Sequence, residues 1–315
     1  MSTSLPTFPD AVQHWVMASN GIRLCTYDSG GGPAIVCIHG WCGLALSCAD
    51  TAPYLVAGGV RVIAVDMRGY GRSDKPDSGP DKSGQQGTTY AAAAMAGDVL
   101  TVLDTFEVDQ AHIVGHDMGA PAALRFAFDY PDHTVSVCCV DEPLLGFNSR
   151  PMTAFSEEAH GGYWQFGLNY TPGIPEVLYT GHGIPFIRRI TDLMTYAEEG
   201  LSDERILYHA QGLDTAAGVS GWVRWYRAVG RTEQQMHEIA EAGGIDTPLL
   251  AIASGDGGVT TVPDQMGPCA NNVRGELLSE CGHLVMEERP EAFAERLLAF
   301  YAEWVTPVPK ILLTL

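Results

Sequence analysis

Five apolar runs constrain this chain most: PAIVCIHG (33–40), VRVIAVDM (60–67), AHIVGHD (111–117), TVSVCCVD (134–141) and TPLLAIAS (247–254). Each is continuous rather than alternating, which suits strands covered on both faces. Helix-compatible stretches at about 88–106, 118–130 and 290–304 lie among them. Strands that alternate with helices predict an α/β fold with a mostly parallel central sheet flanked by helices. Ahead of this series, His14–Ser19 and Ile22–Tyr27 flank Asn20-Gly21, a strong signal for a β-hairpin.

The alternation breaks between about 144 and 235, where no strand series is visible. That segment is helix-compatible and rich in aromatics, among them Phe147, Phe155, Tyr163, Trp164, Phe166, Trp222, Trp225 and Tyr226. It reads as a helical cap (144–235) inserted after the strand that ends at Asp141. Residues 1–143 and 236–315 then form the core domain. The Ser/Gly/Asp stretch 77–87 reads as a loop.

Charge narrows the partners. Lys+Arg number 18 and Asp+Glu 38, for a formal charge of −20. Such a surface repels phosphate backbones and anionic headgroups, so neither nucleic acid nor a membrane surface is an expected partner. No apolar run is long enough to span a bilayer, and MSTSLPTFPD lacks a basic region leading into an apolar one. The eight cysteines (25, 37, 42, 48, 138, 139, 269, 281) show no paired C-x-x-C spacing, so no metal site is expected. Cys37, Cys138 and Cys139 fall inside the apolar runs and read as small hydrophobes. These features together suggest a reduced, cytoplasmic protein.

The chemistry concentrates at Gly115-His116-Asp117-Met118-Gly119, where an apolar strand meets a helix. Glycines two before and two after a central residue relieve crowding in a sharp turn, the geometry of a nucleophile elbow. The usual residue at its centre is Ser, and here it is Asp117. A carboxylate attacks sp³ carbon and is left as an alkyl ester, which a His-activated water can hydrolyse. The bland alternative is an Asp N-cap at an ordinary strand-to-helix turn.

Two further segments supply partners. His39-Gly40-Trp41-Cys42-Gly43 follows an early strand, where one backbone N–H of an oxyanion hole is found; Met118 supplies the other, which assigns Trp41 and Met118. Gly282-His283 lies in a late loop before the last helix, so His283 follows the nucleophile in chain order. An acid to orient His283 could be Asp141, its neighbour Glu142, or Asp256 in SGDGGV (254–259). His39 and His116 flank the site and read as supports for its hydrogen bonding. Arg68-Gly-Tyr-Gly-Arg72 reads as a structural turn near its rim.

HGWCG (39–43), DMRGYGRSD (66–74), GHDMG (115–119) and CGHLVMEE (281–288), in that order, resemble the α/β-hydrolase superfamily over about residues 12–304. They look most like its Asp-nucleophile branch, which comprises epoxide hydrolases and haloalkane or haloacetate dehalogenases. The resemblance implies an α/β-hydrolase fold with an inserted cap, a covalent ester on Asp117, a water activated by His283, and no cofactor. PDHTVSVCCVDEP (131–143) is similar to Cif-like epoxide hydrolases and haloacetate dehalogenases, whose acid follows the sixth strand. That favours Asp141, with Asp256 and Glu142 as runners-up.

Departures from the pattern refine the choice within the branch. Haloalkane dehalogenases carry Trp after the nucleophile, where this chain has Met118. Fluoroacetate-type dehalogenases carry Arg one and four residues after it, where this chain has Met118 and Pro121. The resemblance therefore implies an epoxide hydrolase, a hydrolase acting on ether bonds, with a small or medium epoxide and water as partners. A dehalogenase acting on an alkyl halide is the alternative, and a non-catalytic ligand-binding protein on the same scaffold is a more distant one. Trp225-Tyr226-Arg227-Ala228 is similar to the family's second cap-tyrosine motif and makes Tyr226 the donor to the epoxide oxygen. The other cap donor falls at Gln165, with Tyr163 and Trp164 beside it as alternatives. A homodimer is compatible with all of this, and the sequence does not require one.

Overall fold

A computed structural model of the chain describes residues 8, 10–18, 21–77, 88–147, 163–198, 200–255 and 262–304. The described strands are β1 (Val12–Met17), β2 (Arg23–Gly30), β3 (Ala34–Ile38), β4 (Arg61–Asp66), β5 (Ala111–His116), β6 (Thr134–Val140), β7 (Leu249–Ser254) and β8 (Val273–Leu278). They form one sheet in the order β1-β2-β4-β3-β5-β6-β7-β8. The pairs β1–β2 and β2–β4 are antiparallel, and the remaining pairs are parallel.

The five apolar runs correspond to β3 to β7. Every residue of β3, β5 and β7 is buried, as expected for strands covered on both faces. β8 is not among the apolar runs. Its VRGELL segment is half-exposed, with charged residues facing outward, so it lacks the apolar signal of an inner strand. Helices α1 (Ala52–Ala57), α2 (Ala92–Thr105) and α3 (Ala120–Asp129) flank the sheet. Here α2 packs on α3, and α1 packs on the late helix Pro290–Tyr301.

Register decides which residues meet. Ile38 of β3 pairs with Gly115 of β5, and His116 of β5 pairs with Val140 of β6. The Asp141 N–H then donates to the Ile252 carbonyl of β7 at 2.8 Å. The residues that follow β3, β5, β6 and β7 thus emerge side by side at one edge. β3 is also where the strand order reverses, the usual place for a ligand crevice in an open α/β sheet.

Between β6 and β7 the described chain is helical: α4 (Trp164–Tyr170), α5 (Ile174–Tyr179), α6 (Gly183–Met194), α7 (Asp203–His209) and α8 (Ala216–Glu241). Phe155 of the aromatic set lies outside the described residues. The helix α8 continues past residue 235 to Glu241, so the chain returns to the sheet only at Leu249. Polar ties hold this segment to the sheet body. The Leu46 N–H donates to Tyr208 Oη at 3.2 Å, and Arg205 donates to the Leu46 carbonyl at 3.2 Å. On α8, Gln235 Oε1 accepts from Ala93 N at 3.0 Å, at the start of α2.

Candidate active site

Asp117 occupies a left-handed backbone conformation, with φ +49°, costly for a residue with a side chain. Cys42, Asp141 and Glu280 share it, with φ of 57°, 48° and 52°. These four follow β3, β5, β6 and β8, whereas the other two described non-glycine residues with positive φ, Asp10 and Glu107, lie ahead of β1 and β5. The elbow glycines answer to contact. A Cβ on Gly115 would lie 2.4 Å from the Gly119 carbonyl oxygen, and one on Gly119 would lie 2.6 Å from the Ile38 oxygen. The turn delivers the Asp117 carboxylate to the N-terminal end of α3, where helix partial charge favours an anion.

Four groups address that carboxylate or its neighbour. The Trp41 N–H donates to Asp117 Oδ1 at 2.6 Å, and the Met118 N–H also bonds the carboxylate. His283 Nε2 stands 3.4 Å from Asp117 Oδ2. On the other side of the ring, His283 Nδ1 donates to Asp141 Oδ2 at 2.6 Å. Asp141 Oδ1 in turn accepts from Ser254 N at 2.9 Å and Ser254 Oγ at 2.8 Å. The His283 backbone is held at both ends: its N–H donates to the Met194 carbonyl at 2.7 Å, and its carbonyl accepts from His116 Nε2 at 2.8 Å.

The electrostatics follow from burial and charge. Burial opposes an ionised Asp117, yet His283, His116 and the Met118 N–H outweigh it and hold the carboxyl below the ordinary aspartate range. Burial likewise opposes an ionised Asp141, and His283 and Ser254 bring it below that range too. Burial alone would discharge His283, but the two carboxylates raise it well above the ordinary histidine value. His116 and His39 behave oppositely. Burial lowers each to about 4, so both are neutral near pH 7. His39 Nδ1 donates to the Gly40 carbonyl at 2.8 Å and its Nε2 accepts from Met67 N at 3.1 Å, which fixes the loop before Trp41. Both histidines are thus built into the hydrogen bonding around the site.

Of the three candidate acids, His283 contacts Asp141. Glu142 is buried beside it without bonding the imidazole, and Asp256 lies outside the described residues. Ser254, the last residue of β7, carries no motif in the sequence, yet it sits where a strand-end side chain reaches the neighbouring strand's acid.

The helical segment roofs the site with aromatics. Tyr226 on α8 is buried, its ring edge-on to Trp41 at 5.5 Å and to Phe166 at 5.0 Å. Burial, then Asp117, pushes the Tyr226 phenol far above its ordinary value, so it keeps its proton. Tyr163 is half-buried and pushed up to about 12 by burial, then by Glu142, Asp141 and Asp117. Trp164 is 37% exposed, so the structure turns it toward solvent while Tyr163 lies within the field of the carboxylates. Gln165 is half-buried on the first turn of α4.

The family model for the alpha/beta hydrolase fold matches residues 33–168. The chain has the α/β-hydrolase fold that this model describes. It is 38% identical to epoxide hydrolase B of Mycobacterium tuberculosis over 134 residues, which covers 42% of this chain and 35% of that protein. It is 26% identical to epoxide hydrolase A of the same organism, with 90% and 95% of the two chains aligned. The first of these matches therefore spans about a third of its relative's length. Among solved structures, Cfl2 from Burkholderia cenocepacia superposes with a TM-score of 0.85 at 22% identity, covering 94% of this chain and 97% of that one, and this likeness bears on the fold alone.

Among the described residues no three His, Cys, Asp or Glu side chains are grouped as metal ligands would be, and no helix is long and apolar enough to cross a membrane. The eight cysteines are all buried. Burial, then Asp117 and Glu287, keeps Cys42 beside Trp41 well above the ordinary thiol value, so it is not a ready thiolate.

Proposed function

We propose that this protein hydrolyses a small or medium epoxide to a vicinal diol through an ester on Asp117. The observation that carries the reading is the double commitment of one carboxylate: Asp117 Oδ1 accepts the Trp41 N–H at 2.6 Å, and Oδ2 faces His283 Nε2 at 3.4 Å. An acid that serves only as an N-cap has no use for a histidine–aspartate pair behind it. The names of the relatives, both epoxide hydrolases, point the same way. Met118 stands where a halide-holding Trp would be, which favours the epoxide over an alkyl halide.

In this mechanism Asp117 attacks a ring carbon while Tyr226 hydrogen-bonds the departing oxygen. The helical segment 144–235 acts as the cap that keeps bulk water out. The ester carbonyl oxygen then rests between the Trp41 and Met118 N–H groups. Esterification removes the Asp117 charge, one of the two that hold a proton on His283. The imidazolium proton passes in net terms to the substrate alkoxide, and the neutral imidazole, still oriented by Asp141, then takes a proton from the water that attacks the ester carbonyl. Cysteines buried in the apolar interior, such as Cys37, Cys138 and Cys139, suit a reducing compartment such as the cytoplasm.

Single turnover in ¹⁸O-water, with enzyme in excess over a styrene-oxide-type epoxide, tests this. Label should enter the Asp117 carboxylate and the first diol should be unlabelled. Label in the diol with none in Asp117 would replace the ester with direct attack of water. Halide release from a haloalkane panel without diol formation from epoxides would select the dehalogenase reading.

A further inference from the structure

Glu142 follows Asp141 at the end of β6 and is only 4% exposed. Its Oε1 is buried and has no hydrogen-bond partner among the described residues. Its surroundings belong to the site described above. Asp117, His283 and Asp141 act electrostatically on the Glu142 carboxyl, and that carboxyl acts in turn on Tyr163, Tyr226 and Cys139. For Tyr163 its influence comes ahead of those of Asp141 and Asp117.

A buried carboxyl with no partner is strongly disfavoured as an anion. Two carboxylates nearby, on Asp117 and Asp141, disfavour it further. His283 alone among the groups acting on it favours ionisation, and His283 is already shared by Asp141 and Asp117. Burial first, and then these acids, push the Glu142 carboxyl well above the ordinary carboxylate range, which favours its protonated form. Nothing in the Asp117–His283–Asp141 chemistry uses that proton. The reaction nevertheless calls for one, because ring opening creates an alkoxide. Tyr226 can hydrogen-bond that oxygen, but a phenol whose acidity is so far suppressed is a poor source of the proton itself.

We propose that Glu142 is the acid that delivers the proton to the substrate oxygen, a role that rests on the Asp117-ester reading. The steps balance. Asp117 Oδ forms a bond to a ring carbon, the ring C–O bond breaks, and its electron pair stays on oxygen. That oxygen takes the Glu142 proton and leaves a carboxylate. Asp117 is now an uncharged ester, so the His283 imidazolium holds its proton less firmly and passes it to Glu142. This leaves neutral His283 as the base and restores Glu142. His283 takes a proton from water, hydroxide adds to the ester carbonyl, and collapse releases the diol, the resulting Asp117 carboxyl giving its proton to the departing alkoxide. The cycle closes with Asp117 ionised, His283 protonated and Glu142 neutral.

Glu142→Gln keeps shape and hydrogen-bonding capacity but has no proton to deliver. In single-turnover quench-flow with mass detection of the alkyl-enzyme, this variant should form the ester about 100-fold more slowly than wild type, within the usual range for one general acid. It should still place ¹⁸O in Asp117. The wild-type alkylation rate should fall on the alkaline side as Glu142 loses its proton, with Asp117, Asp141, His283, Tyr163, Tyr226 and Cys139 setting where, and the Gln variant should lose that limb. Glu142→Asp, which retains an acid, should recover at least a tenth of the wild-type rate with the limb displaced. Wild-type alkylation in Glu142→Gln, or a defect confined to ester hydrolysis, overturns the proposal. If Glu142→Gln folds poorly, an alkaline limb in Glu142→Asp identical to that of wild type overturns it equally. Failure of wild type itself to take label into Asp117 would strike the ester mechanism, and is thereby distinguishable.

Discussion

Asp141 and His283 are 142 residues apart in the chain and share a 2.6 Å hydrogen bond. The bond consumes one Asp141 oxygen, while the Ser254 N–H and Oγ–H consume the other. The imidazole is therefore held with Nδ1 toward Asp141 and Nε2 toward Asp117. Asp141→Asn should keep the shape but stabilise neither the Nδ1–H tautomer nor the imidazolium. Ester hydrolysis should slow by about 10³- to 10⁴-fold, the scale known for losing the orienting carboxylate of a histidine base. Ester formation should be affected less, so the Asp117 ester should accumulate and be seen as a protein mass increased by that of the substrate. An Asn variant that hydrolyses its ester at the wild-type rate would move the acid elsewhere, with Asp256 the next to test.

Ser254→Ala removes one of the two hydrogen bonds to Asp141 Oδ1 and leaves the backbone one. A hydrogen bond to a charged acceptor contributes about 1.5 kcal/mol, so turnover should fall about tenfold. Ser254 helps to hold Asp141 below the ordinary aspartate range, so its removal should move the Asp141 carboxyl upward. The acid limb of the kcat profile should shift to higher pH in the variant. A tenfold loss with an unmoved acid limb would assign Ser254 to packing.

Much of this arrangement was legible in the sequence because it is local. The buried strands are continuous apolar runs, and the elbow is five adjacent residues whose glycines are required by contacts of 2.4–2.6 Å that any other side chain would violate. The parts that were not legible depend on neighbours distant in the chain. Ser254 ends an apolar run like any other strand residue, and only the β6–β7 register makes it a partner of Asp141. Glu142 reads as a second-choice acid from its position beside Asp141, and the burial of its Oε1 without a hydrogen-bond partner is a property of the folded site. β8 alternates charged and apolar residues too weakly to stand out, since its pairing with β7 fixes it more than its composition does.

The pH dependence of stability should separate the histidines. His283 is raised well above its ordinary value, so its contribution is complete below about pH 6.5 and is lost as pH rises through its folded pKa. His283→Gln should therefore lower the melting temperature most near pH 6 and progressively less at alkaline pH. His39, His112 and His116 are each lowered to about 4, by burial foremost. Their contribution is present above about pH 6.5 and drains away as pH falls toward 4. Wild-type melting temperature should accordingly drop over that acid window. A His283→Gln penalty that is equal at pH 6 and pH 10 would mean that the imidazolium is not held by the two carboxylates.

Arg68 illustrates what fixes the rim of the site. Its guanidinium bonds Asp98 through two oxygens, Nε to Oδ2 at 2.7 Å and Nη2 to Oδ1 at 2.6 Å, and both side chains are almost fully buried. Nη1 also donates to the Thr89 carbonyl at 2.8 Å, tying the turn after β4 to the start of α2. The Met67 N–H on the same turn holds His39 next to the Trp41 loop, so the pair supports the Trp41 backbone at one remove. Asp98→Ala should strand a buried cation and destabilise the fold by about 3–5 kcal/mol, read as a lower urea midpoint at unchanged m-value. Replacing both partners, Arg68→Met with Asp98→Leu, removes the stranded charge and should recover most of that loss, because a buried ion pair is expensive mainly when broken. A double variant as unstable as Asp98→Ala would show that the guanidinium's bonds to the Thr89 and Ala94 carbonyls, rather than the ion pair, hold the turn.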